Sequence, residues 1–270
     1  DARRLCDGTA RALRLAPEAV LICSTGVIGE FLPTKRIQRA LPSLIRELSS
    51  ERLSDAAEAI RTTDRFPKQA WAEVMVGGEK VTLFGMAKGA GMICPNMATM
   101  LAFFLTDLKA PLPALKRLLK EGAARSFNRI HVDGDPSTND SVLLLANGRA
   151  DNRSAAAGSR EYEAFAAVLF PMMRDLARKI VQDGEGATKA VELDVRGART
   201  DADARRFAYH LANAVLVKTS FYGEDANWGR LMVALGGAGP RLDPQKIDIF
   251  YDGVPLVRGG VSTGTAQYNR

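Results

Sequence analysis

Apolar and polar residues alternate along the chain with two different periods, one typical of helices and one typical of strands. The clearest helical period runs through residues 160–182, where six apolar side chains recur at helical spacing: Phe165, Val168, Leu169, Met172, Leu176 and Ile180. A short apolar run at residues 100–106 has the length of a strand. Because segments of both kinds follow one another, the sequence predicts a layered α/β or α+β fold with sheets flanked by helices.

Glycine-containing turns locate one predicted hairpin and a second set of predicted strands. Residues 71–76 and 80–86 are interpreted as paired strands, because the Gly77–Gly78 pair supplies the positive φ of a tight turn. A second set of strands is predicted within residues 246–257, around the Asp252–Gly253 pair.

The remaining predicted elements are shorter or less periodic. An amphipathic helix is expected at the N-terminus, and further helices at residues 51–62, at residues 111–127 and after Asp201. The apolar run at residues 19–23 predicts a buried strand. Residues 133–140 have the composition of a strand-to-helix turn, and residues 151–159 that of a loop too short to separate independent domains.

Composition and charge narrow the class of protein. The 270 residues are 46% hydrophobic and 25% charged, which suits one large globular domain or two modest ones. The net charge is +6, but Lys and Arg are interleaved with Asp and Glu and form no basic stripe with aromatic residues. We therefore expect no nucleic-acid partner. No apolar run approaches the roughly 20 residues that span a bilayer, so no membrane segment is expected either.

Cysteine and histidine usage indicates the compartment and limits the chemistry. The three cysteines have no CxxC spacing, and the N-terminus lacks the pattern of a secretory signal, so we expect a reducing, cytoplasmic location. His131 and His210 are the only histidines, and no Cys/His cluster accompanies them. A structural zinc site is therefore not expected, and catalysis is expected to proceed without a histidine base.

Several polar, glycine-flanked stretches are candidates for a site. They lie at residues 24–29, 61–64, 88–99, 133–140, 184–189 and 223–230. Taken singly, each has the composition of a turn or a helix cap. In the stretch at residues 88–99, Lys88 precedes the glycines, which is the wrong order for a nucleotide-binding loop. A hydroxyl nucleophile without histidine needs another base, and an N-terminal α-amine is one such base. The residues alone do not establish whether such a base is used here.

One stretch carries a resemblance to a known family. Residues 88–101, with the sequence KGAGMICPNMATML, resemble the self-cleavage motif of the ornithine acetyltransferases, also called glutamate N-acetyltransferases. The other stretches resemble further motifs of that family, in the family's order, and the similarity covers essentially the whole chain. The resemblance implies a fold of the kind shared by DmpA and the ornithine acetyltransferases.

The resemblance also implies self-processing and acetyl transfer. The precursor is expected to cleave itself between Ala98 and Thr99, which divides the chain into an α-chain part, residues 1–98, and a β-chain part, residues 99–270. Thr99 then becomes an N-terminal nucleophile that takes an acetyl group from N-acetylornithine and passes it to glutamate. The products are ornithine and N-acetylglutamate, as in arginine biosynthesis.

Site residues and partners follow from the same resemblance. The expected catalytic and substrate-binding residues are Thr25 and Gly26, as the oxyanion-hole pair, and Thr62, Lys88, Thr99 and Glu185, as the substrate-binding set. Lys88 can meet a substrate carboxylate, and Glu185 can pair with a substrate ammonium. Members assemble as α2β2 heterotetramers of the cleaved chains. No resident cofactor or metal is implied, and acetyl-CoA enters only as a co-substrate that some members accept.

The chain departs from the family at both ends, and two alternatives stay open. Members usually carry a further segment before the position of Asp1, and residues 259–270 do not resemble the family's ending. We therefore expect the N- and C-terminal family segments to be missing. The first alternative is a related amidase or aminopeptidase with an N-terminal nucleophile, in which water accepts the acyl group. The second is an inactive paralogue.

Overall fold

The computed structural model describes residues 1–94, 100–135 and 137–264 and divides into two compact units, Asp1–Glu185 and Gly186–Arg270. The helices of the first unit are α1 (Ala2–Leu13), α2 (Thr34–Arg46), α3 (Leu53–Ala59), α4 (Leu112–Arg125) and α5 (Arg160–Gln182). Its strands are β1 (Lys68–Val76), β2 (Glu79–Lys88), β3 (Leu101–Thr106) and β4 (Ser141–Ala146). The helices of the second unit are α6 (Asp201–Asn213), α7 (Val215–Tyr222) and α8 (Trp228–Gly237). Its strands are β5 (Ile249–Tyr251), β6 (Val254–Arg258) and β7 (Val261–Ser262).

The sheet of the first unit has the strand order β1-β2-β3-β4. The pairs β1–β2 and β2–β3 are antiparallel, whereas β3 and β4 are parallel. Gly77 and Gly78 turn the β1–β2 hairpin with φ angles of 59° and 96°, in the left-handed region that glycine adopts at no steric cost. The predicted hairpin and the predicted strand at residues 100–106 are confirmed.

Helix α5 packs against one face of this sheet and forms the main core. Ser159 caps its N-terminus, since the Ser159 hydroxyl accepts the Tyr162 N–H, and the stripe of side chains that the helical period predicts is buried except for the partly buried Val168. Phe165 and Leu176 are fully buried in a cluster that also contains Phe104 of β3. Each such side chain contributes about 1.5–3 kcal/mol relative to an exposed one. Helix α5 therefore fixes the sheet, and with it the ends of β2 and β3.

The prediction of a buried strand at residues 19–23 is wrong. A short helical turn covers Pro17–Ala19, and no strand pairing follows it in the described part of this segment. Leu21 is 62% exposed, and the Val20 N–H bonds to Pro17 O as in a turn. An apolar run becomes a strand only where a neighbouring backbone pairs with it, and none does so here.

The stretch at residues 133–140 leads into a strand and not into the predicted helix. Strand β4 follows it directly and pairs in parallel with β3, so that Val142 lies opposite Ala102. The helix predicted for residues 51–62 is confirmed over Leu53–Ala59, and the one predicted for residues 111–127 over Leu112–Arg125. Both of these helices are therefore predicted correctly, whereas the helix expected after residues 133–140 is not formed.

The second unit is a small α/β assembly with its own core. Leu211, Val217, Leu231 and Val257 come together from α6, α7, α8 and β6. The predicted helix after Asp201 and the predicted strands around residues 252–253 are confirmed, whereas the shorter α7 and α8 were not predicted. Helices and sheets in both units confirm the predicted fold class.

No helix in the described part of the chain is both long enough and apolar enough to span a membrane.

Candidate functional site

Lys88 lies at the end of β2 and is the centre of the candidate site. Its side chain is almost fully buried, with 2% of its surface exposed, and its Nζ donates a hydrogen bond of 3.1 Å to Thr62 Oγ1. Burial lowers the pKa of the Lys88 ammonium, whereas the carboxylates of Asp64 and Asp140 act in the opposite direction. Thr62 follows α3, so two predicted substrate-binding residues meet although 26 positions separate them.

A buried ion-pair network lies beside Lys88. Lys68 Nζ donates to Asp64 Oδ1 and to Asp183 Oδ2, both at 2.6 Å, and all three side chains are completely buried. Burial by itself would raise the pKa of Asp64, but hydrogen bonds from the Gly89 N–H and from Lys68 outweigh it and lower the pKa. The pKa of Asp183 is lowered in the same way, against burial, by Lys68 and Arg65.

This network joins three segments that carry the site. Asp64 also accepts the N–H of Gly89 at 2.7 Å, just beyond Lys88, and the N–H of Thr62 at 3.1 Å. At the end of α5, the carboxylate of Asp183 receives the backbone N–H of Arg65 at 3.0 Å. The loop of residues 61–65, the end of β2 and the end of α5 are therefore held in one arrangement.

Glu185 packs against the loop that follows β2. Its backbone N–H donates to Ala90 O at 2.7 Å. A Cβ placed on Gly91 would lie only 2.7 Å from Glu185 Cδ, so a side chain at Gly91 would displace the carboxyl group. Because Gly91 has no side chain, the Glu185 carboxyl group can lie against the loop that directly follows Lys88.

The same loop is shaped by Asp133. Its carboxylate accepts the backbone N–H groups of Met92 and Ile93, the latter at 2.8 Å, and Met92 adopts a left-handed φ of 57°. Asp133 therefore holds the loop between Gly91 and Cys94. Within the described residues, no group of three or more His, Cys, Asp or Glu side chains is arranged to hold a metal.

Thr25 and Gly26 lie in the irregular segment between α1 and α2. Thr25 is half-buried, and Gly26 is exposed with open space where a Cβ would be. The preceding residue, Ser24, accepts a hydrogen bond of 2.7 Å at its carbonyl oxygen from Asn139 Nδ2. The oxyanion role of the pair stays a prediction.

Asn139 and Asp140 are site residues that sequence reasoning did not single out. Asp140 Oδ1 accepts the Met100 N–H at 2.7 Å, while its neighbour Asn139 reaches Ser24. The pair thus touches both the segment of the predicted oxyanion residues and the residue after Thr99. The stretch at residues 133–140 was recognised as polar, but a buried carboxylate has no local sequence signature.

The cleavage residues cannot be placed in this arrangement. Ala98 and Thr99 lie outside the described residues, so their position at the site remains a prediction.

The second unit offers a different and less specific feature. A cavity of about 630 Å³ is lined by Arg199, Asp203, Arg241, Leu242, Asp243, Pro244 and Lys246. None of the predicted site residues lines it. In the stretch at residues 223–230, Asn227 caps α8 by accepting the Arg230 N–H. The chemistry that the sequence predicts is therefore concentrated in the first unit.

Comparisons with known proteins agree with that reading. The sequence model of the ArgJ family matches residues 1–270. The chain is 48% identical over 264 residues to the arginine biosynthesis bifunctional protein ArgJ of Geobacter sulfurreducens, covering 98% of this chain and 67% of that protein. It is 48% identical over 260 residues to the protein of the same name from Symbiobacterium thermophilum, covering 96% and 65%.

A solved structure extends the likeness to the fold. The crystal structure of the arginine biosynthesis bifunctional protein ArgJ from Bacillus halodurans matches with a TM-score of 0.59 and 37% identity, over 62% of this chain and 78% of that one. The chain spans about two thirds of the length of the curated relatives it matches. With a family model that matches its whole length and relatives nearly half identical to it, the chain belongs to the ArgJ family.

Proposed function

We propose that the protein transfers an acetyl group from N-acetylornithine to glutamate through an acetyl-Thr99 intermediate, after cleaving itself between Ala98 and Thr99. The observation that carries this proposal is the buried Lys88–Thr62 pair with Glu185 packed against the adjoining loop. These three residues were predicted from the family motif alone. Their clustering in the described structure supports a substrate site and argues against three unrelated surface turns.

Lys88 suits recognition of an amino-acid carboxylate. N-acetylornithine and glutamate differ in their side chains but share an α-carboxylate. The Lys88 ammonium is held by one hydroxyl and keeps donors for such a ligand, and a charge-assisted hydrogen bond in a buried setting is stronger than a neutral one. One site for both substrates fits a reaction in which ornithine leaves before glutamate binds.

Glu185 suits recognition of an ammonium group. The side chain of N-acetylornithine ends in an amine that is protonated near neutral pH. The Glu185 carboxylate, which follows α5 and lies against Gly91, can pair with it while Lys88 holds the other end of the substrate. Opposite charges at the two ends of the site would orient the acetyl group between them.

The reaction needs a base, a nucleophile and oxyanion donors. The free α-amine of Thr99, with an ordinary pKa near 8, takes the proton of the Thr99 hydroxyl as the oxygen attacks the acetyl carbonyl. Thr25 and Gly26 donate hydrogen bonds to the oxyanion, and one such donor typically contributes about 3–4 kcal/mol. Ornithine leaves, and the amine of glutamate then attacks acetyl-Thr99.

We extend the proposal to the wider assembly. Cleavage would divide the chain into the parts 1–98 and 99–270, and two such pairs would form an α2β2 heterotetramer. The chemistry needs no resident cofactor, because the acyl group is carried by Thr99 itself. Acetyl-CoA is proposed as a second donor, since the oxyanion donors act on the acetyl carbonyl whichever group leaves.

Mass spectrometry of the purified protein tests this proposal. We expect two polypeptides, the second beginning at Thr99, and an acetyl adduct on that residue when N-acetylornithine is added without glutamate. Thr99→Ala should abolish both cleavage and the adduct, because no other hydroxyl replaces it. An intact chain that still transfers acetyl groups would contradict the proposal, and a cleaved chain that never acquires the adduct would favour an inactive paralogue.

A further inference from the structure

Asp64 is a completely buried carboxylate to which the proposed mechanism assigns no role. Its Oδ1 accepts Lys68 Nζ at 2.6 Å and the Gly89 N–H at 2.7 Å, and its Oδ2 accepts the Thr62 N–H at 3.1 Å. Because a buried donor that loses its acceptor is left unsatisfied, such a carboxylate fixes the groups that donate to it. Asp64 therefore holds three separate groups in place.

Two of these donors lie directly beside the Lys88–Thr62 hydrogen bond. Thr62 supplies both the backbone N–H that Asp64 binds and the hydroxyl that accepts Lys88 Nζ at 3.1 Å. Gly89, whose N–H binds Asp64 Oδ1, is the residue that follows Lys88. The Asp64 carboxylate and the Lys88–Thr62 hydrogen bond therefore belong to one closed ring of bonds. A shift of the carboxylate would move both residues of that hydrogen bond.

Asp183 allows a direct comparison, because its carboxylate binds the same lysine. It is also completely buried and accepts Lys68 Nζ at 2.6 Å. Its other donors are the backbone N–H and the Nε of Arg65, at 3.0 and 2.8 Å. Within the described residues, the two carboxylates thus share Lys68, but only Asp64 also binds Thr62 and Gly89.

The charges around Lys88 distinguish the two carboxylates as well. Charged side chains on the surrounding segments are Arg61, Asp64 and Arg65 before β1, Lys68 on β1, Asp140 before β4, and Asp183 and Glu185 after α5. Burial lowers the pKa of Lys88, Asp64 and Asp140 act to raise it, and Lys68 acts to lower it. The negative charge of Asp64 therefore opposes the effect of burial on the Lys88 ammonium.

We propose that Asp64 is a positioning residue for substrate binding, which holds Thr62 and the Lys88 ammonium where the α-carboxylate of either substrate binds. This inference rests on the proposed function. Asp64 acts through Lys88 and touches no substrate atom, and it neither gains nor loses a bond in acetyl transfer. Asp183, which binds the same Lys68, stabilises the fold without this role.

Asp64→Asn in the purified protein tests this role, with Asp183→Asn as the matched control. Each variant removes one negative charge beside Lys68 and leaves the other carboxylate in place, so both should lose stability to a similar extent. For Asp64→Asn we expect KM for N-acetylornithine and for glutamate each to rise about tenfold with little change in kcat, because substrate binding is weakened. Asp183→Asn should keep both KM values close to those of the wild type.

The rise of KM at alkaline pH is a second readout, which a loss of stability alone would not move. Because Asp64 acts to raise the pKa of Lys88, KM for N-acetylornithine should start to rise at a lower pH in Asp64→Asn than in the wild type. Lys68→Met should shift this rise to a higher pH, since it removes a positive charge that lowers the same pKa. Asp183→Asn should leave it unchanged. The titration of the substrate amine is common to all four proteins.

Two results would overturn the inference. The first is an Asp64→Asn enzyme with the KM values and the alkaline rise of the wild type, and the second is a rise that shifts in the same direction in Asp64→Asn and Lys68→Met. If Asp64→Asn does not fold, Lys68→Met decides: a rise at higher pH than in the wild type supports the inference, and any other result contradicts it. A wild type that transfers no acetyl group removes the proposed function as well, whereas an active wild type matched by Asp64→Asn removes the inference alone.

Discussion

Lys88 is buried, donates a hydrogen bond to the Thr62 hydroxyl and lies near the carboxylates of Asp64 and Asp140. This combination is typical of a lysine that binds a ligand. A surface lysine extends into solvent, as Lys80 does near the other end of the same strand, where its side chain is 62% exposed and pairs with Glu73. Lys88 instead gives up hydration and is held by Thr62. The desolvation cost of such a charge is offset when a substrate carboxylate completes its hydrogen bonds.

Replacing Lys88 with Met should weaken the binding of both substrates. Hydrogen bonds to charged groups contribute about 1.5–3 kcal/mol, so KM for N-acetylornithine and for glutamate should each rise roughly 10- to 100-fold. Lys80→Met is the control, because it removes an exposed lysine from the same strand. Steady-state kinetics in which Lys88→Met changes neither KM would show that Lys88 only fills space.

The pH dependence of binding follows from the same residue. Because the pKa of Lys88 is lowered, the ammonium is lost at a lower pH than for an ordinary lysine with pKa near 10.4. The wild-type KM should therefore rise on the alkaline side, and this rise should disappear in Lys88→Met.

At the residue scale, the motif predicted the polar groups that we propose to bind substrate but not the groups that hold them in place. Lys88 and Glu185 are recognisable because glycine-rich, chemically distinctive segments surround them. Asp140 and Met100 are 40 positions apart, and Lys68 and Asp183 are 115 apart. No local sequence pattern predicts contacts between residues so far apart, because these contacts form only once the sheet has formed.

At the element scale, long periodic segments were predictable, whereas of two short apolar runs the one at residues 100–106 forms the predicted strand and the one at residues 19–23 does not. Helix α5 and the β1–β2 hairpin follow directly from spacing and from a glycine turn. The run at residues 19–23 has the composition of a strand but finds no pairing partner, whereas β4 forms because β3 lies beside it. Strand formation depends on neighbouring strands that are distant in sequence, so these strands could not be predicted from the local sequence.

The Lys68 network joins β1, the loop of residues 61–65 and the end of α5, so Lys68→Met tests its contribution to the free energy of unfolding. Removing one partner of a buried ion pair typically costs about 3–5 kcal/mol, whereas Arg117→Met, which breaks the exposed Arg117–Glu121 pair, should cost less than about 1 kcal/mol. Urea unfolding at pH 7 measures both. Equal stabilities for the two variants would contradict the network's role.

Lowering the pH should reduce the difference in free energy of unfolding between the wild type and Lys68→Met. The pKa values of Asp64 and Asp183 are lowered by folding, so their stabilisation is complete above the unfolded pKa near 3.9 and is lost as the pH falls below it. Asp140 acts in the opposite sense, losing stability as the pH rises from about 4 to about 6, but it does so in both proteins. A difference that widens on acidification would contradict this assignment.

At the scale of the whole molecule, the order of the polar segments was more informative than any one of them. Each has the composition of an ordinary turn, yet together they carry the pattern of the ArgJ family, which the family model matches over residues 1–270. The boundary between the two compact units falls between residues 185 and 186, whereas the predicted cleavage falls after residue 98. The predicted cleavage therefore does not coincide with the boundary between the units.

The most direct test of the central claim follows the fate of a labelled acetyl group. The purified protein would be given N-acetylornithine with an isotope-labelled acetyl group, with and without glutamate, and the products separated by chromatography. We expect label in N-acetylglutamate when glutamate is present and little free acetate when it is absent, because the acetyl group waits on Thr99 for an amine. Label released mainly as acetate, at a rate indifferent to glutamate, would contradict the account and identify a hydrolase.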